Sequence, residues 1–270
     1  MISNVSGIDE ATGCRADGFS LIEMIIAIAI MAILSAVVVP VVYKSIDAER
    51  HQATYKEMDA IVAAIVGNAT EGNYGYLGDM GGLPASLTNL NTNPGSTTHS
   101  SGTNGVPMGW NGPYLNMGTD PTDYLSDAWR IPYSYNNVTG RITSPGLNGI
   151  LGDSDDIVLP TNAVIASGSI AVTVTTNSIQ NPGNIETLDD TTADVWVSFS
   201  NNGTENAVQA TYNALLSCFT AGPVHKGLHA ITVTGANGPS PSPNDDFLGR
   251  TGAANLVVSQ GVASVTVYIN

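Results

Sequence analysis

The chain has 270 residues and a formal net charge of −15, from 23 acidic and 8 basic side chains. Charged residues make up only 11% of it, against roughly 25% in an ordinary soluble domain. A chain this acidic lacks the basic surface that contact with the phosphate groups of nucleic acid requires. The composition therefore excludes nucleic acid as a partner.

A long apolar stretch lies close to the amino terminus. Between Met24 and Val42 it is interrupted only by Ser35 and Pro40. As a helix it would extend for roughly 28 Å, which is close to the thickness of the hydrocarbon core of a bilayer. Apolar residues then continue at helical spacing to about residue 68, so the pattern predicts a membrane-spanning helix that continues as an amphipathic one.

Glu23 places a carboxylate at the start of this stretch. An ionised carboxylate in hydrocarbon costs several kcal/mol unless it has a partner, and the next basic residue on its carboxyl-terminal side is Lys44. A cut between Gly18 and Phe19 would create an α-amino cation four residues before Glu23. That cation could pair with Glu23 in the same chain or in a neighbouring one.

The sequence G-F-S-L-I-E at residues 18–23, followed by the apolar helix, resembles the class III signal of type IV pilins and type II secretion pseudopilins. The resemblance implies that prepilin peptidase cuts after Gly18 and that Phe19 becomes the methylated first residue. It also implies that Glu23 and Pro40 take part in assembly. The leader is long for this family, and Asp17 stands where a basic residue commonly precedes the glycine.

The same resemblance implies a location and partners. The precursor would wait in the inner membrane, and the inner-membrane assembly machinery would then polymerise it into a homo-oligomeric helical filament. Such a filament would be periplasmic or extracellular.

Residues 71–160 are rich in glycine, proline and asparagine, which predicts short elements joined by turns. The segments R-I-P-Y-S-Y-N and G-R-I-T-S predict two antiparallel strands with a tight turn at residues 137–140. The large aromatic residues of this region are interpreted as core packing; they are Trp110, Tyr114, Trp129, Tyr133 and Tyr135.

The segment S-P-G-L-N-G-I-L-G-D-S-D-D-I contains four side chains with oxygen atoms that suit calcium, namely Asn148, Asp153, Asp155 and Asp156. It lacks the ligand spacing of an EF-hand. With the strands before it, the segment resembles the calcium-stabilised region of the major pseudopilin. That resemblance implies Asn148 and Asp156 as ligands, with Asp153 or Asp155 compensating for the missing charge of Asn148. The alternative is a solvated acidic turn without a metal.

From residue 161 onward, apolar residues alternate with threonine, serine and asparagine between polar turns. This pattern predicts an antiparallel β-sandwich of immunoglobulin-like or related topology. Cys218, which follows Leu215 and Leu216 and precedes Phe219, is predicted to be buried.

The expected fold class is therefore α+β, with a long amino-terminal helix packed on a small antiparallel β-region and followed by a β-sandwich. The predicted boundaries are a cleaved leader at 1–18, a helix at 19–70 (an assembly half at 19–43 and an amphipathic half at 44–70), a pseudopilin-like region at 71–160 and the sandwich at 161–270.

The sequence favours a structural subunit of a type IV-like filament, either a type II secretion pseudopilus or a type IV pilus. The alternative is a membrane-anchored extracytoplasmic binding or adhesion protein that works through its carboxyl-terminal sandwich. An enzyme is not expected, because the sequence contains no nucleophile elbow, phosphate loop, zinc motif or acid–base pair.

Overall fold

The structure, a computed structural model, describes residues 18–115, 122–178, 183–236, 247–259 and 261–270. The chain forms two compact units, of which the first ends at Glu49 and the second runs from Arg50 to Asn270. Apart from Gly18, the predicted leader lies outside the described residues, as does Asp17.

Helix α1 runs from Leu21 to Val66. Within the described residues it is the one helix long and apolar enough to cross a membrane, and the apolar part near the amino terminus is exposed in the single chain. The helix ends four residues before the predicted end at residue 70. Gly67 stops it, because this residue has φ +73° and a Cβ added there would lie 2.3 Å from the Gly75 nitrogen.

The middle region consists of short elements, as its turn-forming residues predicted. They are 3₁₀ turns at Ala69–Glu71, Leu87–Leu90, Thr103–Gly105 and Asp123–Leu125, helix α2 at Gly75–Met80, and strands β1 (Ser100–Ser101), β2 (Pro107–Met108), β3 (Ser134–Asn136), β4 (Arg141–Ser144) and β5 (Ile157–Leu159).

The predicted hairpin of the middle region is confirmed. Strand β3 pairs antiparallel with β4, and the Gly140 N–H donates to the Asn136 carbonyl across the turn at 2.8 Å. Strand β5 pairs antiparallel with β4 and completes a three-stranded sheet. The carboxyl-terminal part of α1 packs on this sheet through a shared core that includes Met58, Ile61, Ile65, Leu90, Ile142, Ile157 and Leu159.

The carboxyl-terminal region forms two sheets around a second core. One has the order β10-β11-β6-β14, with β7 also paired to β6, and the other has the order β13-β12-β8-β9. The strands are β6 (Ser167–Asn177), β7 (Ile185–Thr187), β8 (Ala193–Asn201), β9 (Thr204–Gln209), β10 (Thr211–Asn213), β11 (Cys218–His225), β12 (Gly227–Gly235), β13 (Thr251–Val258) and β14 (Val262–Ile269).

The sandwich core follows from the alternation along these strands. On β6, Ile170, Val172 and Val174 are buried and alternate with threonine and alanine side chains that are only half-buried. Side chains from both sheets meet in this core, including Val195, Val197, Phe199, Phe219, Ile231, Val267 and Ile269. The α+β class is therefore confirmed: a long amino-terminal helix is followed by mostly antiparallel sheets.

One strand pair departs from the expected antiparallel sandwich. Strand β14 pairs in parallel with β6, from Val262 opposite Ser169 to Ile269 opposite Thr176. A parallel pair requires a long connection. Here the connection is the whole segment between β6 and β14, because β14 returns to lie beside β6, the first strand of the sandwich.

The middle region and the sandwich are joined by direct hydrogen bonds. The Ser200 hydroxyl donates to the Asp79 carbonyl at 2.5 Å, and the Gly203 N–H donates to the Met80 carbonyl at 2.9 Å. The Thr97 hydroxyl donates to the Gly203 carbonyl. The loop that carries Thr97 therefore lies against the β8–β9 turn.

Candidate functional site

The proposed cleavage point lies outside the helix. Gly18, Phe19 and Ser20 precede α1 and are exposed, with 82% of the Phe19 side chain accessible. A Cβ added at Gly18 would meet nothing within 4 Å. The peptide bond between Gly18 and Phe19 is therefore accessible to a peptidase in the described chain.

Glu23 lies in the first turn of α1 and caps it. Its Oε2 accepts a hydrogen bond from the Ser20 backbone N–H at 3.0 Å, while the Ser20 hydroxyl accepts one from the Ile22 N–H at 3.4 Å. A serine followed three residues later by a glutamate is the capping-box pattern. Sequence analysis missed this role, although the S-x-x-E spacing is present. A carboxylate can accept about four hydrogen bonds, so the cap leaves Glu23 able to bind a cation.

Pro40 lies within α1, and the helix continues on both sides of it. Proline has no N–H, so it cannot donate to the carbonyl of Ala36, four residues earlier. The structure therefore places one missing backbone hydrogen bond inside the apolar half of the helix. The predicted role of Pro40 in loosening the helix during assembly stays a prediction.

The aromatic residues of the middle region pack around the first core, as predicted: Trp110, Tyr114, Trp129, Tyr133 and Tyr135 are all partly buried against it. Two of them also donate hydrogen bonds to acidic side chains, of which Asp79 is buried and Glu57 is half-buried. The Tyr133 hydroxyl donates to Glu57 on α1, and the Tyr114 hydroxyl donates to Asp79, both at 3.1 Å. Burial is the main reason why the pKa of each of these four side chains is raised.

Asp127 holds together a turn that contacts α1 through the next residue, and it was not singled out from the sequence. Only 4% of it is exposed. Its carboxylate accepts hydrogen bonds from the backbone N–H groups of Trp129 and Ile131, each at 2.9 Å, and from the Ser144 hydroxyl at 2.6 Å. The next residue along the chain, Ala128, donates its N–H to the Thr54 hydroxyl on α1 at 3.1 Å.

The acidic loop brings together the four residues that the sequence indicated. The Asn148 side-chain amide donates to Asp153 at 2.6 Å and to Asp155 at 2.8 Å, and its oxygen accepts from the Ile150 N–H at 2.7 Å. The Asp156 Oδ2 accepts from the Gly152 N–H at 2.7 Å. Asn148 therefore acts as a donor towards the two carboxylates in this structure, and its role as an oxygen ligand of calcium stays a prediction.

The Asp153 and Asp155 carboxyl groups are neighbours, because both accept from the Asn148 amide and the Asp155 N–H donates to the Asp153 Oδ1 at 3.3 Å. This contact lowers the pKa of Asp153 and raises that of Asp155. Two carboxylates in contact repel each other when both are ionised, and a cation between them would remove that repulsion.

Two further observations on the loop give opposite indications about calcium binding. The Asp156 Oδ1 is buried without a hydrogen-bond partner, which fits an oxygen that awaits a cation or a water. However, nowhere in the described parts of the chain do three or more histidine, cysteine, aspartate or glutamate side chains converge as a metal site. The three carboxylates are suitable calcium ligands, whereas Asn148 would have to turn its oxygen inward before it could join them.

Comparison with known proteins identifies the amino-terminal segment. Residues 14–39 match the family model described as the prokaryotic N-terminal methylation motif. No curated protein and no solved structure gives a significant match to the chain. The matched segment, together with the long apolar helix, fits a prepilin N-terminus of the type IV pilin or pseudopilin kind. It supports a pilin-like filament subunit that prepilin peptidase processes and that is anchored in the inner membrane before assembly.

Proposed function

We propose that the chain is a structural subunit of a type IV-like filament, a pilus or a secretion pseudopilus, and that it polymerises through α1. The observation that carries this proposal is the methylation motif at residues 14–39, which lies at the start of an exposed apolar helix with Glu23 in its first turn. Burial of the helix among its neighbours in the filament would replace its burial in lipid.

The charges at the start of the helix give the proposal its mechanism. Cleavage after Gly18 leaves an α-amino group on Phe19, which is cationic at neutral pH, and methylation keeps it a basic amine. The Glu23 carboxylate of an adjacent subunit would neutralise this cation when both enter the apolar filament core. Two charges that would be costly alone then enter the core as a pair. The role of the protein is therefore assembly, with no chemical step after its own processing.

The test of this proposal is the amino terminus of the protein in its native cells. Mass spectrometry of the membrane or filament fraction is expected to find a chain that begins with N-methylated Phe19. Gly18→Val places a branched side chain at the cleavage point, and the leader is expected to remain. An intact leader in the unaltered protein would contradict the filament proposal and leave the anchored binding protein as the better interpretation.

Calcium at the acidic loop is a second part of the proposal. It is supported by the closeness of Asp153 and Asp155, which both accept from the Asn148 amide, and by the buried, unpartnered Oδ1 of Asp156. Calcium at about 100 times its dissociation constant would add about 2.7 kcal/mol to the free energy of unfolding. In a chain of this size that corresponds to a rise in melting temperature of about 5–10 °C.

We therefore expect chelation to lower the melting temperature and calcium, but not magnesium, to restore it. Asn148→Asp should enlarge the calcium-dependent shift, because it adds a charge and removes the amide that now holds the two carboxylates together. Asp155→Asn should reduce the shift. If chelation changes none of the three melting temperatures, the loop is a solvated acidic turn.

A further inference from the structure

Two leucines stand out on the surface of the sandwich. Leu215 and Leu216 lie in the turn between β10 and β11, and 95% and 65% of their side chains are exposed. We call this pair the leucine tip. Cys218 is buried, as the sequence predicted, whereas the turn before it directs the two leucines into solvent.

The turn that carries the leucine tip is fixed. The Asn213 side-chain oxygen accepts hydrogen bonds from the backbone N–H groups of Leu215 at 3.0 Å and Leu216 at 3.2 Å. Ser217 adopts φ +50° and returns the chain to β11. A single exposed leucine needs no explanation, but two adjacent ones on a fixed turn form an apolar projection suited to a binding partner.

An apolar cavity lies at the other end of β11. It has a volume of about 470 Å³, within the range of roughly 300–1,000 Å³ in which proteins bury small organic groups. We call it the valine hollow. Its lining comes from the end of α1 and the segment after it, from the start of β12 and from the end of β13, and includes Val66, Ala69, Tyr74, Lys226, Val257 and Val258.

The positions of the two features favour a head-to-tail contact. Leu216 lies just before β11 and Lys226 directly follows it, so a strand of eight residues separates them. At about 3.3 Å per residue the two features are roughly 25 Å apart along that strand. A projection at one end that enters a cavity at the other would give a heterologous contact, and repeated contacts of that kind build an open chain of subunits.

The distribution of charge favours a second copy of this chain as the partner. Copies with a net charge of −15 repel each other, so a contact between them must avoid acidic surfaces. Residues 206–225, which contain the leucine tip, include no aspartate, glutamate, lysine or arginine. The lining of the valine hollow contains no acidic residue either, and its one charged side chain is Lys226. Both surfaces are free of acid in an otherwise acidic chain.

We propose that the leucine tip of one subunit binds in the valine hollow of a second copy. The inference rests on the proposed filament function, in which it would supply a contact between globular parts in addition to the helix bundle. It is nevertheless a property of the folded unit, so it can be tested even where no filament forms.

The experiment pairs Leu216→Cys with Ser259→Cys, since Ser259 lines the hollow. The native Cys218 is buried, with 6% of it exposed, and does not compete. Cys14, in the leader, is replaced by serine in every variant. Each copy then carries one thiol at the tip and one in the hollow, so mild oxidation is expected to produce a ladder of disulfide-linked oligomers. Each single variant should give no ladder. The matched control combines Leu216→Cys with Val138→Cys, because Val138 is 81% exposed and lies elsewhere.

A second substitution tests the apolar contact. In the chain with both cysteines, Leu215→Asp is expected to reduce the ladder about ten-fold or more, because it removes the burial of one leucine side chain. Val138→Asp adds the same charge outside the contact and should leave the ladder unchanged. Equal effects of the two substitutions would overturn the proposal.

The cross-linking is done on assembled filaments and on the concentrated full chain in detergent. Filaments without a ladder above the control pair would overturn the inference and leave the proposed function intact. A ladder in detergent, from a chain whose leader is not removed in its native cells, would support the inference and contradict the proposed filament function. Absence of the ladder in both preparations also overturns the inference.

Discussion

Glu23→Val is expected to abolish filament assembly while the chain remains in the membrane. Valine is apolar, so its insertion into lipid is at least as favourable as that of glutamate. The variant, however, leaves the Phe19 amine of the neighbouring subunit without its anion. A hydrogen bond to a charged group is worth about 1.5–3 kcal/mol, so each subunit addition should weaken by about ten- to a hundred-fold. The measurement is the amount of filament by electron microscopy, beside the amount of membrane-bound subunit.

The structure shows why valine alone would be an ambiguous test. Glu23 also caps α1 by accepting the Ser20 N–H, so valine removes a helix cap together with a charge. Glu23→Gln separates these effects, because the amide oxygen can still accept that hydrogen bond but carries no charge. We expect the glutamine variant to be nearly as defective as the valine variant.

Glu49→Val is the matched control for the same helix. Glu49 is exposed and lies far from the first turn of α1, so filaments should form normally. If the glutamine variant also assembles normally, the charge of Glu23 is not needed, and its role in this chain is limited to capping the helix.

The parts of the site that the sequence predicted are those contained in one short stretch. Gly18, Phe19 and Glu23 lie within six residues, so their relation did not depend on the fold. Asp127 could not be found in this way. Its carboxylate binds the hydroxyl of Ser144, and the neighbouring Ala128 binds Thr54, 74 residues earlier. Only the tertiary structure brings these groups together.

In the fold, too, the sequence predicted the features that depend on local pattern and not those that depend on tertiary contacts. Alternation identified most of the sandwich strands, because a half-buried strand must alternate whatever its partner is. It could not indicate that β14 lies parallel to β6, since pairing depends on contacts across the whole module. In the acidic loop, the sequence indicated which side chains lie in one segment, but only the structure showed that the Asn148 amide donates to the Asp153 and Asp155 carboxylates.

Asp127→Ala is expected to cause the largest loss of stability among the variants considered. The substitution leaves three donors without an acceptor: the N–H groups of Trp129 and Ile131 and the hydroxyl of Ser144. A buried donor that loses its partner costs about 1–3 kcal/mol, so the free energy of unfolding should fall by about 3–5 kcal/mol. In a chain of this size the melting temperature should fall by about 10 °C or more.

Two further variants show whether the hydrogen bonds are the cause. Asp127→Asn keeps an oxygen for the two backbone donors, and the Ser144 hydroxyl can accept from the new amide, so the loss should be only about 1 kcal/mol. Asp123→Ala removes an exposed acid from the same segment and should leave the melting temperature nearly unchanged. If Asp127→Ala melts like Asp123→Ala, the carboxylate does not hold this turn together.

Asp127→Ala and Glu23→Val should also separate folding from assembly. Asp127 belongs to the unit from Arg50 to Asn270, whereas Glu23 belongs to the unit that ends at Glu49. Below its lowered melting temperature the Asp127→Ala chain should therefore form filaments in proportion to the amount of folded subunit. The Glu23→Val chain should keep the melting temperature of the unaltered protein and form none. Loss of filaments from fully folded Asp127→Ala subunits would mean that the turn it holds also contributes to the contact between subunits.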